Sequence, residues 1–193
     1  MRRPYIAIIF ITVFLYSCTI VKPKDFTYLY TKEYTGIDSL IRTDGYYIFQ
    51  RECDTAFHSA VMLYPDGLFA IATGTDLSII AECFAGYTGN SAICKYPSWG
   101  IYKIAGDTIK TQTVRDEGIA MATIFRDYLI LPDKSLINIS DYIYPENTKI
   151  GYMANYPSFH ENLCKEKAVF YPLQSKMDFS RCPYINKKWF IQK

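Results

Sequence analysis

The sequence predicts a mainly β protein: an antiparallel meander that closes into a barrel or cupped sheet, with one or two short helices. Three observations carry this. From Gly36 onward, β-branched and aromatic runs of about strand length recur. Tight turn signals separate them, and few stretches show helical period. Aromatic residues make up 17% of the chain, tyrosine alone supplying 18 positions, a composition that pleated surfaces favour.

The elements follow in order. Tyr46-Tyr47-Ile48-Phe49-Gln50 reads as a strand after Asp44-Gly45. Ser59–Tyr64 and Leu68–Ala72 flank Pro65-Asp66-Gly67, where proline pre-sets one turn dihedral and glycine accepts positive φ. Thr75–Phe84 is the first helical piece. Trp99–Ile104 runs into Ala105-Gly106-Asp107 and returns as Thr108–Thr113 with alternating character, the pattern of a half-buried strand. Then come Ile119–Phe125, a turn at Arg126-Asp127, Tyr128–Leu131, a turn at Pro132-Asp133-Lys134, and Leu136–Ile139. Ser158–Lys167 reads as a second helix, with Ser158 as cap and Glu161 three residues on. Such a meander must hide an apolar face, and closure also removes exposed strand edges.

The order Asp-Gly-Tyr-Tyr (44–47), the Tyr-x-Asp-Gly hairpin (64–67) and Trp-Gly-x-Tyr-x-Ile-x-Gly-Asp-x-Ile (99–109) resembles the lipocalin-like barrels of small bacterial envelope lipoproteins. The late Phe170-Tyr171-Pro172-Leu173 and Lys187-Lys188-Trp189-Phe190 are similar to that group as well. The resemblance covers about residues 36–190. It implies an up-and-down barrel or cupped sheet with an apolar interior, and transfers no catalytic residue, because its motifs encode strands and turns.

The first residues have a different purpose. Arg2-Arg3 precede an uncharged, almost wholly apolar run from Tyr5 to Leu15, the layout of a secretory signal. Leu15-Tyr16-Ser17-Cys18 then resembles a bacterial lipobox, with an aliphatic residue three before the cysteine, a small residue just before it and Cys18 as the acylated acceptor; Tyr16 is bulkier than usual there. An uncleaved anchor is the alternative, since the uncharged run can be stretched to Val21, about the lower limit for spanning a bilayer. The expected organisation is a signal peptide over 1–17, a lipidated Cys18 and tether over 18–35 that becomes ordered near Phe26 to Tyr30, and one β-rich domain over 36–193. By the sorting behaviour of such lipoproteins, Thr19 in place of Asp, and no acidic cluster after it, imply the outer membrane facing the periplasm.

The full chain carries 21 basic and 19 acidic residues, and cleavage after Ser17 removes Arg2 and Arg3, leaving a formally neutral mature chain. That excludes the basic excess of a nucleic-acid binder. With Cys18 spent on lipid, Cys53, Cys83, Cys94, Cys164 and Cys182 remain. Short loops close at least entropic cost, so Cys83 with Cys94 and Cys164 with Cys182 are the simplest disulfides, though spacing leaves connectivity open. No Cys-x-x-Cys occurs, which argues against zinc-ribbon and thioredoxin-type redox sites.

Candidate chemistry is sparse. His160-Glu161-Asn162-Leu163-Cys164 has helical spacing but ends in a cysteine where a zinc protease needs histidine, so no metal is expected. Cys53 with His58 is the one conceivable nucleophile pair, and the flanking Glu52 and Asp54 disfavour a thiolate. No catalytic residue and no cofactor follow. Tyr46, Phe49, Phe69, Trp99, Tyr102 and Phe125 are the expected core, while Tyr87, Tyr96 and Trp99 form the candidate binding rim beside the 83–94 loop. Two classes remain. One is a membrane-anchored, non-catalytic adaptor for an envelope protein; the other is a carrier of a small hydrophobic ligand or lipid.

Overall fold

The structure, a computed structural model, describes residues 22–23, 25–51, 58–86, 97–116, 121–143 and 166–192. A four-residue helix, α1 (Ile37–Leu40), precedes three strands, β1 (Gly45–Arg51), β2 (His58–Leu63) and β3 (Leu68–Gly74). Helix α2 (Leu77–Phe84) follows, then β4 (Ser98–Ala105), β5 (Thr108–Asp116), β6 (Met121–Ile130), β7 (Leu136–Ile143) and β8 (Glu166–Pro172). Each strand pairs antiparallel with the next, and β8 pairs with β1 from Gly45↔Pro172 to Arg51↔Glu166, so the eight strands form a closed up-and-down barrel.

The two ends of this barrel are made differently. At one end the connections are short. In the 64–67 turn Gly67 takes φ 93° and donates to the Tyr64 carbonyl at 3.2 Å, while Asp66 accepts from the Leu68 amide. Gly106-Asp107 joins β4 to β5 with Gly106 at φ 64°, and in the 131–135 turn Asp133 accepts from Ser135 N–H. Helix α1 plugs this end, its Ile37 and the following Ile41 both buried. Lys176 also ties this end, donating to the carbonyls of Thr43 and Leu63 at 2.7 and 2.9 Å with its ammonium 4.5 Å from the Tyr64 ring centroid. Burial pushes that ammonium down to about 8, against the pull of Asp66 and Asp44. At the opposite end, the mouth, the connections are 52–57, 75–97, 117–120 and 144–165.

Two apolar clusters sit on opposite faces of the sheet. The interior cluster takes Tyr47 and Phe49 from β1, Val61 and Leu63 from β2, Phe69 and Ile71 from β3, then Tyr102, Ile109, Tyr128, Leu136 and Ala168, one from each remaining strand. The outer cluster takes alternate residues of β1 to β5, such as Tyr46, Ala60, Met62, Ala70 and Trp99, and covers them with Ile80 and Phe84 of α2 and with both terminal segments. Asp76 caps α2 through the Ser78 amide at 2.8 Å, which turns Ile80, Cys83 and Phe84 onto the wall.

Two sequence expectations change. The turn at Arg126-Asp127 is absent: β6 runs unbroken, and only a register shift between Asp127 and Tyr128 marks the place. The pair contains neither glycine nor proline, and strand alternation puts its two side chains on opposite faces without a reversal. The end of the expected 158–167 helix, residues 166–167, is extended as the start of β8, the strand that closes the barrel; residues 158–165 lie outside the described residues. The order expected near Phe26 to Tyr30 is present, with the segment packed on the barrel wall. Phe26 and Tyr30 are fully buried, the Phe26 ring stacks on Phe190 at 5.6 Å, and Tyr30 bridges to Ile191.

Candidate functional site

The barrel interior is the first place where a ligand could be held. Phe49 and Tyr128 stack across it at 5.0 Å, and Tyr47 meets Phe170 edge-on at 5.1 Å. Gly100 belongs to this packing: a Cβ there would lie 2.5 Å from the Phe69 ring and 2.3 Å from the Gln112 carbonyl oxygen, so only glycine lets the ring lie across β4. The two phenols at the plugged end are tied down. Tyr102 donates to the Tyr64 carbonyl at 2.6 Å and lies 2.8 Å from the Thr35 hydroxyl. Tyr47 accepts the Arg42 amide at 3.0 Å. Burial raises both above the ordinary phenol range, Tyr47 to about 12, so both stay protonated at neutral pH.

Buried polar residues of the interior lie on β5, Thr111 and Thr113, and on β7, Asn138. Thr111 and Thr113 share a face with Ile109, and among the described residues their buried hydroxyls have no hydrogen-bond partner. A buried hydroxyl left in this way costs about 1–3 kcal/mol.

A second concavity lies outside the barrel, where the segment preceding α1 crosses β4. It has a volume of about 510 Å³, within the usual size of small-molecule sites. Gln112 anchors the segment, its side-chain oxygen accepting from the amides of Thr27 and Tyr28 at 2.8 and 2.9 Å and its NH2 donating to the Thr27 hydroxyl. Lower down, the Tyr30 hydroxyl donates to Asp66 at 2.5 Å and Thr35 N–H to the Pro65 carbonyl at 2.8 Å. The groove between is lined by Leu29, Thr31, Glu33, Tyr34 and Lys103 among others. Tyr34 is 67% exposed, its hydroxyl held by Asp38, and Leu29 is 40% exposed.

The sequence-derived site residues scatter. Cys18, Cys53, Tyr87, Cys94, Tyr96, His160 and Cys164 lie outside the described residues. Trp99 does not belong to an exposed rim: it is 1% exposed and stacks on Tyr64 at 5.9 Å, because α2 and the C-terminal segment cover the wall it faces. The expected core residues Tyr46, Phe49, Phe69 and Tyr102 are buried, whereas Phe125 is only partly so. Cys182 is a free thiol, correcting its expected pairing with Cys164. Nearness in sequence misled here, because β8 carries the chain from one barrel end to the other between those positions. Cys182 is instead packed in the outer cluster, where burial raises its thiol to about 12 and makes it a poor nucleophile. Cys83 is disulfide-bonded, with its partner outside the described residues. His58 opens β2 on the face shared with Ala60 and Met62, away from the interior. Among the described residues no cluster of three or more His, Cys, Asp or Glu could hold a metal.

The groove escaped the sequence reading because 18–35 was taken for a tether. A signal was present: in Phe26-Thr27-Tyr28-Leu29-Tyr30-Thr31, aromatic residues alternate as they do on a strand packed on one side. No family model, curated protein or solved structure matches this chain.

Proposed function

We propose that the chain is a bacterial envelope lipoprotein, cut before Cys18 and acylated there, whose barrel is a non-catalytic binding module for a protein partner at the outer membrane, facing the periplasm. The observation that favours an adaptor over a carrier is the interior cluster: side chains from all eight strands and the α1 plug meet inside the barrel and pack against one another. Eight strands give a barrel just wide enough to fill itself in this way. The likeness to lipocalin-like envelope barrels, carried by the motifs at 44–47, 64–67 and 99–109, supports the envelope setting and does not choose between adaptor and carrier.

Native mass spectrometry of the acylated chain released from its own envelope tests this reading. The expected mass is that of the acylated polypeptide, alone or with a protein partner in fixed ratio. A small-molecule mass retained by the native chain and lost from a Thr111→Val, Thr113→Val variant would overturn it in favour of a carrier. That second reading has its own support, since both hydroxyls face the interior with no partner among the described residues. The anchor has a separate test: Cys18→Ala should accumulate as an unprocessed, unacylated precursor, and normal maturation would remove the anchor from the proposal.

A further inference from the structure

The segment between the acylation site and the barrel is short. Pro23 is already buried, and the Phe26 amide closes a turn onto its carbonyl at 3.3 Å. From Phe26 onward the segment is packed against the C-terminal residues Trp189 and Phe190. Only residues 19–22 separate Cys18 from Pro23, a reach of at most about 17 Å when fully extended. On the lipoprotein reading above, the barrel is therefore held against the bilayer on a stiff stem, and the groove between stem and β4 begins at Thr27, within roughly 30 Å of chain from the acylated cysteine.

Among the described residues, two of the five exposed large hydrophobic side chains, Leu29 and Tyr34, lie on this stem at the groove. Tyrosine with one apolar face and a bonded hydroxyl suits the headgroup layer. The groove also carries both signs of charge. Lys103 is exposed, its ammonium 4.6 Å from the Tyr28 ring centroid, and Glu33, also exposed, lines the same groove. Neither forms an ion pair among the described residues, and the second carboxylate, Asp66, is taken up by Tyr30 and the Leu68 amide. An anion alone would meet an excess of carboxylate in this groove, and a cation alone would meet Lys103. A ligand that carries both charges complements it.

We propose that this groove seats the headgroup of a zwitterionic phospholipid of the anchoring membrane, its phosphate at Lys103, its ammonium at Glu33 and its glycerol and acyl portion against Leu29 and Tyr34. The stem then contacts the bilayer twice, through the acyl chains on Cys18 and through this headgroup. Two weak attachments give far firmer anchoring than one.

The test uses the full acylated chain in nanodiscs of equimolar phosphatidylethanolamine and phosphatidylglycerol. A p-benzoylphenylalanine photocrosslinker is placed at position 34 or at position 169, where Val169 is 45% exposed on β8, the opposite wall. Intact mass of the same preparation first reads the acyl chains. The expected result is a phosphatidylethanolamine adduct at position 34, several-fold above phosphatidylglycerol, with little at 169. The double variant Lys103→Gln, Glu33→Gln should abolish the preference. An acylated chain with no adduct at 34, equal adducts at 34 and 169, or no preference between the two lipids overturns the groove proposal and leaves the anchor standing. A chain without acyl mass overturns both.

Discussion

The wall formed by β1 to β4 and the wall formed by β6 and β7 use one pleated sheet in two ways. On β2 and β3 both faces are buried, the inner against the barrel contents and the outer under α2 and the terminal segments. Their sequences are accordingly near-continuous apolar runs: His-Ser-Ala-Val-Met-Leu, and Leu-Phe-Ala-Ile-Ala-Thr-Gly, in which every residue from Leu68 to Ala72 is buried. On β7, Leu136 and Asn138 are buried, Ile137 is half-buried and Ile139 is 49% exposed, the alternation of a sheet with a single packed face. A continuous apolar run in this antiparallel protein therefore reports something beyond the barrel, a second layer that must come from elsewhere in the chain.

The contrast predicts different costs for similar cuts. Phe69→Ala removes a fully buried ring from the interior, where neighbours on several strands pack and cannot relax independently, and is expected to lower global stability by about 3–5 kcal/mol in urea unfolding. Phe190→Ala removes an equally buried ring from the outer layer. Its cost is expected to be smaller, about 2–3 kcal/mol, because a terminal segment can partly close the void. Amide exchange should separate the two: the outer variant should speed exchange mainly at Tyr30 and Gln192, whose amides bond across the two termini, and leave the β4–β5 ladder protected. Equal global losses with uniform exchange would mean that the two layers unfold as one.

Lys176 and Tyr47 titrate in opposite directions. Lys176, on the outer side, has its ordinary value of 10.5 lowered to about 8. Between these values the unfolded chain holds the proton more tightly than the folded one, so this group adds stability as pH rises from about 8 towards 10.5 and loses it as pH falls back through 8. Tyr47, inside, has its ordinary value of 10 raised to about 12; the folded state keeps a proton that the unfolded state gives up, and stability falls over that interval. The urea midpoint should therefore climb above pH 8 before dropping, and Lys176→Met should remove the climb but not the fall. A climb that persists in Lys176→Met would assign it to another group. The smallest effect expected is at the α2 cap, where Asp76→Ala should cost about 1 kcal/mol in the same unfolding assay.

Much of the barrel is legible in the sequence. Turns marked by Pro65-Asp66-Gly67, Gly106-Asp107 and Pro132-Asp133-Lys134 fall where they were expected, because each carries a residue whose own backbone preferences make the reversal. The β6 bulge and the closing strand are not legible in this way. A bulge depends on the partner strand's register, and β8 is defined by pairing with β1, more than a hundred residues earlier. The groove was hidden for a related reason: Thr27 and Tyr28 are held by Gln112, a partner 84 and 85 residues away that no local pattern announces. Trp99 was legible as aromatic but not as buried, since what covers it is contributed by α2 and the C-terminal segment.

By itself, then, the sequence determined that this chain is a β meander with these turns, that it opens with the layout of an export signal ending at Cys18, and that its charges nearly balance, 21 basic residues against 19 acidic. These are properties of residues and their near neighbours. Tertiary structure alone decided that the meander closes, that the stem is part of the domain, that Cys182 is a buried thiol and Trp99 a core residue, and that a charged groove lies beside the stem. Each of these depends on segments far apart in the chain meeting across the barrel wall, where burial and pairing set a side chain's role whatever its local pattern suggests.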